Sequence, residues 1–549
     1  MKRSRWILIL LTVAIVSFAF TERGERYFEI AKSLDIFATL FKEVNAYYVD
    51  DVEPKKLIRT GIDNMLESLD PYTNYIPEEE LENFRVLTTG QYAGIGALIN
   101  VIREKTVITH PYKGFPAYNA GVHVGDEIIA INGKTMVGKP TTDVTTNLKG
   151  QAKTEVELKV KRAGVGELTF KIKREKISIT NIAYYGMVGT SDVGYIKLDE
   201  FTPGAAKEVS EAVQNLKTLG AKKLILDLRD NLGGLMHEGI NIVNLFIPKN
   251  LEVVSTKGKV KDWNKTYSTL NNPIDTEIPI AVLTSEASAS AAEIVSGSLQ
   301  DYDRAVLVGK KTFGKGLVQT TRQLSYGSEL KVTVAKYYIP SGRCIQALDY
   351  VHRNEDGSVN KFPDSLRREF TTRGGRKVYD GNGIDPDVPT EDEYLSTVSG
   401  ALIREGLIFE YASKYCGEHP ERPDFRTFKL SDAEYTKFID WIKTQKFTYR
   451  SELETGTNDL IKVAKQERYY PEIEAQLNDL KKRIENNKIT DFIRFKKEII
   501  DVLEHQVAFH YALAEGEATV SLQRDKTVSE ALKVLGDTQR YKKILTAAP

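Results

Sequence analysis

Between residues 179 and 390 the chain alternates strand-like and helix-like runs, and this order constrains the fold more than any other feature. Val193–Leu198 reads as a strand and Ala205–Leu219 as an amphipathic helix ending at Gly220. Lys223–Leu228 is a continuous apolar strand, and Leu235–Phe246 is a second helix. Ile278–Leu283, Ser290–Leu299 and Ala305–Val308 continue as strand, helix and strand. A strand that is apolar throughout has to be covered on both faces. The pattern therefore predicts an α/β core built on a largely parallel sheet.

The flanking segments have other periods. Residues 26–85 predict a helical region: Ile30, Leu34, Phe37, Leu40 and Phe41 recur at helical spacing, and Val52–Leu69 repeats the pattern until Asp70-Pro71 breaks it. This region is expected to be a small packed helical domain. Residues 86–178 predict a small mixed β domain, with strands at Gly96–Ile102, Thr106–Thr109, Glu127–Ile131 and Val156–Lys161. Pro116–Gly121 reads as a short helix closed by glycine. Residues 391–549 are helix-dominated and charged. Ile473, Leu477, Leu480 and Ile484, continued by Phe492, Ile499 and Leu503, form the stripe of a helix bundle. The fold class expected is a multidomain α/β protein with an inserted mixed-β domain and helical ends.

Composition excludes several classes. The 549 residues suffice for about three or four domains. Lys+Arg and Asp+Glu are 76 each, so the chain lacks the basic footprint of a dedicated nucleic-acid binder. Two cysteines, Cys344 and Cys416, are too few for a disulfide framework or a cysteine-rich zinc site, although one bridge between them stays open. No HExxH pair occurs, so neither a metal nor another cofactor is expected. Lys2, Arg3 and Arg5 precede an apolar run, Trp6–Phe20, that is short for a spanning helix. Residues 1–20 are therefore expected to be an export signal, with Ser17-Phe18-Ala19 offering a cleavage site, or else an N-terminal anchor. Either version puts the body of the protein outside the cytoplasm, in the periplasm or a similar space.

Three segments concentrate chemistry. Thr284–Ile294 is rich in serine and alanine and runs from a strand into a helix, where free N–H groups favour a nucleophile. The same residues also serve simply to cap and pack a helix. In Gly309–Gly316, Lys315 lies between two glycines, where the backbone can pass close to another group. A lysine becomes a general base when desolvation lowers its pKa from ~10.4. Asp227–Gly234 ends a buried strand with paired glycines, which fits an oxyanion site or an ordinary tight turn. His237 lies nearby, but no GxSxG elbow is present to partner it.

Together these segments resemble the carboxy-terminal processing proteases, serine endopeptidases with a Ser-Lys dyad and an inserted PDZ domain. The resemblance runs from about Phe37 to Asp387. It rests on Ser68-Leu69-Asp70-Pro71-Tyr72, Gly94-Ile95-Gly96, the serines before Glu293-Ile294-Val295, Thr312–Gly316, Pro340–Arg343 and Gly383–Asp387. It implies Ser290 as nucleophile and Lys315 as base, twenty-five residues apart; Ser288, the rival serine, breaks that spacing. It implies Gln319 as the residue orienting the lysine. Gly233 and Ala291 would form the oxyanion hole, with Gly234 as an alternative. Asp227, Arg229 and Glu293 would support the site. Ala292 departs from the family's usual serine. Gly94, Ile95 and Gly96 match the PDZ loop that receives a peptide C-terminus, and a peptide there would add a strand to the domain's edge. The partners implied are proteins or peptides with accessible C-termini, with membrane association through the N-terminus and self-association also open. The function implied is an exported endopeptidase cutting near C-termini, the PDZ domain recognising or gating substrate. The alternative is an inactive scaffold that only binds C-termini.

Overall fold

The computed structural model describes residues 27–391 and 394–546. It comprises two compact units. One is the chain up to Tyr75 with Thr321–Val332, and the other is Ile76–Thr320 with Thr333–Pro549. Residues 1–20, expected to be a signal or anchor, lie outside the described residues. Among the described residues no helix is long and apolar enough to cross a membrane.

The first unit holds a helix over 27–47 and a second at Pro54–Glu67, which starts on proline and stops before Asp70-Pro71. Asp70 explains the turn. Its Oδ1 accepts the N–H groups of Tyr72 and Thr73, both at 2.9 Å. Leu34 and Leu40 are 64% and 57% exposed, because an amphipathic repeat makes a helix but does not supply a partner for its apolar face. The third helix of the region, Leu81–Thr89, belongs to the other unit.

In the second unit the mixed β domain has a sheet in the order Ala97–Ile102, Lys105–Pro111, Glu127–Ile131, Glu155–Arg162, Gly166–Lys173. Its core is Ile95, Ile108, Ile128, Val144, Leu158 and their neighbours. The four strands expected from sequence are present, and Gly166–Lys173 and the short Lys134–Thr135, paired with Glu127–Ile131, bring the sheet to six. The two ends of the domain meet as an antiparallel ladder, Gln91–Gly94 against Glu175–Ser178.

The α/β core is a six-stranded sheet, Ile182–Met187, Val193–Leu198, Lys223–Asp227, Ile280–Thr284, Val306–Gly309 and Val388–Pro389 in that order. The first pair is antiparallel and the rest are parallel. Helices Ala205–Thr218, Met236–Phe246 and Ala291–Asp301 cover one face through Val209, Val213, Ile242, Val295 and their neighbours. The other face is covered from far along the chain. Val528, Ala531, Val534, Leu535 and Tyr541, on helices Lys526–Gly536 and Thr538–Leu545, pack against Ile225, Ala281, Leu283, Val306 and Val308. The Tyr541 hydroxyl also accepts the Ile280 N–H at 2.9 Å. The last two helices of the chain thus also serve as the sheet's second cover.

The carboxy-terminal helices begin at Thr397. Their apolar centre is Val398, Leu402, Tyr411, Phe438, Ile499 and Leu503. The helix Lys496–Ser521 is interrupted by non-helical backbone at Ala512 and Leu513. The PDZ-like β domain is docked on it. Arg103 Nη1 lies 2.6 Å from Glu410 Oε2, and Lys113 Nζ lies 3.1 Å from Glu515 Oε2. His110 meets Phe509 edge-on with ring centroids 5.4 Å apart, and the backbones of Gly164 and Gly417 are in direct contact.

Candidate active site

The strand Ile280–Thr284 delivers the chain into a turn, buried at Ser288 and Ala289, that opens the helix Ala291–Asp301, with Ser290 at its N-cap. Ser290 has φ +56° and ψ −115°. A non-glycine residue rarely adopts positive φ, and such strain collects at functional positions. Ser288 has a different place. It is fully buried, and its Oγ donates to Leu228 O at 2.7 Å and accepts the Ser285 N–H at 2.9 Å. Ser288 therefore ties this turn to the Asp227–Gly234 turn, whereas Ser290 is only half-buried.

Glu293, one turn into the helix, gathers the site. Its Oε2 accepts the backbone N–H groups of Ser290 at 2.9 Å and Lys315 at 2.8 Å. Its Oε1 accepts from Gly314 N at 2.8 Å and from Thr312 Oγ1 at 2.5 Å. One carboxylate oxygen thus bridges the backbones of Ser290 and Lys315. Burial pushes the Glu293 carboxyl up to about 7, while the four donors around it pull the other way. On the opposite side, the buried Tyr337 hydroxyl reaches Lys315 O at 2.6 Å and Ser290 O at 3.2 Å. The two residues are thus braced through both their N–H and their C=O groups.

The glycines beside Lys315 let it sit there. A Cβ on Gly314 would collide with Ala347 and lie 2.9 Å from Gly383 N, and one on Gly316 would lie 2.9 Å from Gln346 N. Lys315 itself is half-buried. Gln319 Nε2 donates to Thr333 Oγ1 at 3.1 Å.

Gly233 packs against the serine. A Cβ there would stand 2.7 Å from Ser290 Cβ and 2.9 Å from Ala291 N. Its φ of +91° is open to glycine at no steric cost. The Gly233 N–H donates to Asn231 Oδ1 at 2.8 Å, and Asn231 O accepts the Ala289 N–H at 2.9 Å. Gly234 is more exposed and bridges to Phe201. Asp227 is fully buried at the end of its strand. Its carboxylate receives Arg229 Nε at 3.0 Å and Nη2 at 2.5 Å, and the Tyr195 hydroxyl at 2.6 Å. Burial opposes the Asp227 charge, yet Arg229 and Lys197 hold its carboxyl below the usual range. Lys197 Nζ also donates to Arg229 O. His237 is 63% exposed and leans on Glu238 at 3.6 Å.

Ser290, Lys315, Gly233, Ala291 and Glu293 are therefore brought together, with Asp227 and Arg229 bracing the glycine turn. Sequence reasoning did not single out Tyr337, Asn231, Thr312, Lys197 or Tyr195. Only Thr312 and Asn231 lie inside segments already under suspicion, and a tyrosine on an ordinary strand carries no distinguishing signal. In the β domain Ile95 is buried, and its carbonyl accepts the Ala117 N–H at 2.8 Å. Gly96 O accepts the Tyr112 N–H at 2.9 Å. The strand that follows, Ala97–Ile102, is an edge of its sheet. Cys344 and Cys416 are both free, and among the described residues no group of His, Cys, Asp or Glu is arranged to hold a metal ion.

Comparison with known proteins bears on the family of the chain. Residues 192–352 match peptidase family S41, residues 107–162 a PDZ domain, and residues 398–535 the family described as "Probable PDZ-protease, C-terminal helical domain". A "Probable CtpA-like serine protease" of Staphylococcus aureus (strain COL) is 36% identical over 344 residues, 61% of this chain and 68% of its own. The "Carboxy-terminal processing protease CtpA" of Bacillus subtilis (strain 168) is 34% identical over 306 residues, 56% of this chain and 65% of its own. Among solved structures, a photosystem II D1 C-terminal processing protease aligns at 27% identity, covering 66% of this chain and 93% of its own, with a TM-score of 0.35. The chain belongs to peptidase family S41, as a carboxy-terminal processing serine protease that carries a PDZ domain.

Proposed function

We propose that this serine protease works through a Ser290–Lys315 dyad and cuts polypeptides at or near their C-termini. The observation that carries the reading is the shared bracing of the two residues. Glu293 Oε2 accepts both N–H groups, and the Tyr337 hydroxyl reaches both carbonyls. Ser290 Oγ attacks the scissile carbonyl carbon while the neutral Lys315 amine takes its proton. The resulting ammonium gives that proton to the leaving amine, and an acyl ester on Ser290 remains. Water, deprotonated by the same lysine, hydrolyses the ester and restores Ser290. Negative charge develops on the carbonyl oxygen beside the Ala291 and Gly233 N–H groups. Gly233 gives its N–H to Asn231 Oδ1 in the resting arrangement, so the substrate oxygen takes over from Asn231 as acceptor.

The loop Gly94–Gly96 and the edge strand Ala97–Ile102 fit a peptide C-terminus added as a further strand, so that the PDZ domain recognises or gates the substrate. The basic residues and apolar run of Met1–Phe20 support an extracytoplasmic, periplasmic location, reached by export or held by an anchor. The test is proteolysis of an unfolded protein by purified wild type, Ser290→Ala and Lys315→Ala. Loss of cleavage in both variants, with unchanged circular dichroism, is the expected result. Full turnover by either one, or loss in Ser288→Ala instead of Ser290→Ala, removes the assignment.

A further inference from the structure

Every arm of the Arg229 guanidinium is committed, and one arm is committed to a distant part of the chain. Nε and Nη2 face Asp227, at 3.0 and 2.5 Å. Nη1 lies 2.7 Å from Oδ2 of Asp525, which is 19% exposed. Asp525 stands at the junction between the helical region and the helices that cover the sheet. Its other oxygen, Oδ1, accepts the Val528 N–H at 2.9 Å and caps Lys526–Gly536. The residue before it is anchored in the opposite direction. Arg524 reaches Asp501 at 2.6 Å and Glu504 at 2.5 Å, both on the helix Lys496–Ser521. Asp525 is thus held on both sides and has little freedom to leave Arg229.

What Arg229 holds lies beside the serine. Four residues downstream, Gly233 packs on Ser290 Cβ and the Ala291 N–H. Between them, Asp230 sits at φ +63° with its Oδ1 accepting the Ser285 hydroxyl at 3.1 Å, and Asn231 is fully buried. This turn has no regular secondary structure of its own, so polar contacts set its position: Ser288 Oγ and Asn231 Nδ2 donate to Leu228 O and Leu198 O, both at 2.7 Å, the Ala289 N–H donates to Asn231 O at 2.9 Å, and Arg229 fixes its start.

We propose that Asp525 is a positioning residue for catalysis: through Arg229 it fixes the Asp227–Gly233 turn against Ser290, so that the carboxy-terminal helices complete the active site without contacting substrate. A bidentate arginine locked between two carboxylates has one orientation rather than several. A small displacement of an oxyanion donor weakens transition-state stabilisation while leaving substrate binding nearly untouched. The proposal rests on the serine-protease reading of Ser290.

The test uses the full-length enzyme with a fluorescence-quenched peptide, reading kcat and KM separately. Asparagine still caps a helix, so Asp525→Asn removes the charge and keeps the cap. It is expected to lower kcat about 10-fold with KM unchanged, an effect within the usual range for coupled neighbours. Asp525→Glu is expected to recover part of the loss. Asp537→Asn alters the cap of the next helix, where Asp537 Oδ1 accepts from Gln539 and Arg540, and it is expected to leave kcat unchanged. Arg229→Met is expected to lose activity, and adding Asp525→Asn to it is expected to cost nothing more. Wild-type kcat in Asp525→Asn overturns the proposal, as does a double variant whose losses multiply, because the two residues would then act independently. If Ser290→Ala cleaves as fast as wild type, the dyad reading falls and the proposal falls with it. If Ser290→Ala is dead while Asp525→Asn runs at full rate, only the proposal falls.

Discussion

Ser290 occupies a backbone region that costs a non-glycine residue on the order of 1–3 kcal/mol, and its neighbours keep it there. Gly233 is one of them. Gly233→Ala puts a methyl within 2.7 Å of Ser290 Cβ on a backbone at φ +91°, and is expected to lower kcat by about 10²–10³, the loss typical of one oxyanion donor. Steady-state kinetics on the purified variant check this. Glu293 gives a pH prediction. Burial raises its carboxyl from 4.5 to about 7, so the folded chain holds this proton more tightly than the unfolded chain. That contribution to stability is complete below 4.5 and is lost as pH rises through about 7. Glu293→Gln carries no such proton. Its melting temperature is expected to decline less than that of wild type between those limits, and its kcat to drop because an amide donor now faces N–H donors. Thermal scans across that range measure the first effect. At this scale only the spacing implied by the family resemblance narrowed the nucleophile to Ser290. Ser288 and Ser290 share a composition, and what separates them is burial and the bond from Ser288 to Leu228, which no local pattern encodes. Tyr337 was invisible for the same reason.

Elements were legible wherever burial imposes a period. Continuous apolar runs marked the parallel strands, because Ile225, Val282 and Leu307 have to be apolar whichever face they meet. The same logic failed where a helix's partner lies far away in sequence. Val528, Ala531, Val534 and Leu535 show helical spacing, but nothing in that spacing says that they pack on Ile225, Ala281 and Val308. The helix over 27–47 shows the opposite case: its repeat was readable, yet Ile30, Leu34, Phe37 and Leu40 are exposed. Leu535 tests the packing on the sheet. It is 2% exposed, so Leu535→Ala is expected to destabilise the chain by about 2–5 kcal/mol, read as a lowered denaturant midpoint. A helix that belonged only to a peripheral bundle would leave the main transition unmoved.

The PDZ domain and the protease sheet are both fastened to the carboxy-terminal half, the first through Glu410, Glu515 and Gly417, the second through Tyr541 and Asp525. Gly417 is the tightest point, since any Cβ there collides with Ala163 O. Gly417→Ala is expected to loosen the PDZ domain, seen as faster amide exchange over residues 97–111, while leaving exchange in Lys223–Asp227 unchanged. Equal protection in both variants would show that the backbone contact does not hold the domain. The late arrival of the second sheet cover has a further effect in time. A ribosome delivers Ser290 and Lys315 while Ile225, Leu283 and Val308 still lack the residues that will shield them. A chain broken off before Lys526 therefore carries both residues of the proposed dyad on a sheet with one greasy side bare. In the whole chain that side is closed by Val528, Val534, Leu535 and Tyr541, so the last residues to be made are among those that bury the sheet on which the proposed dyad stands.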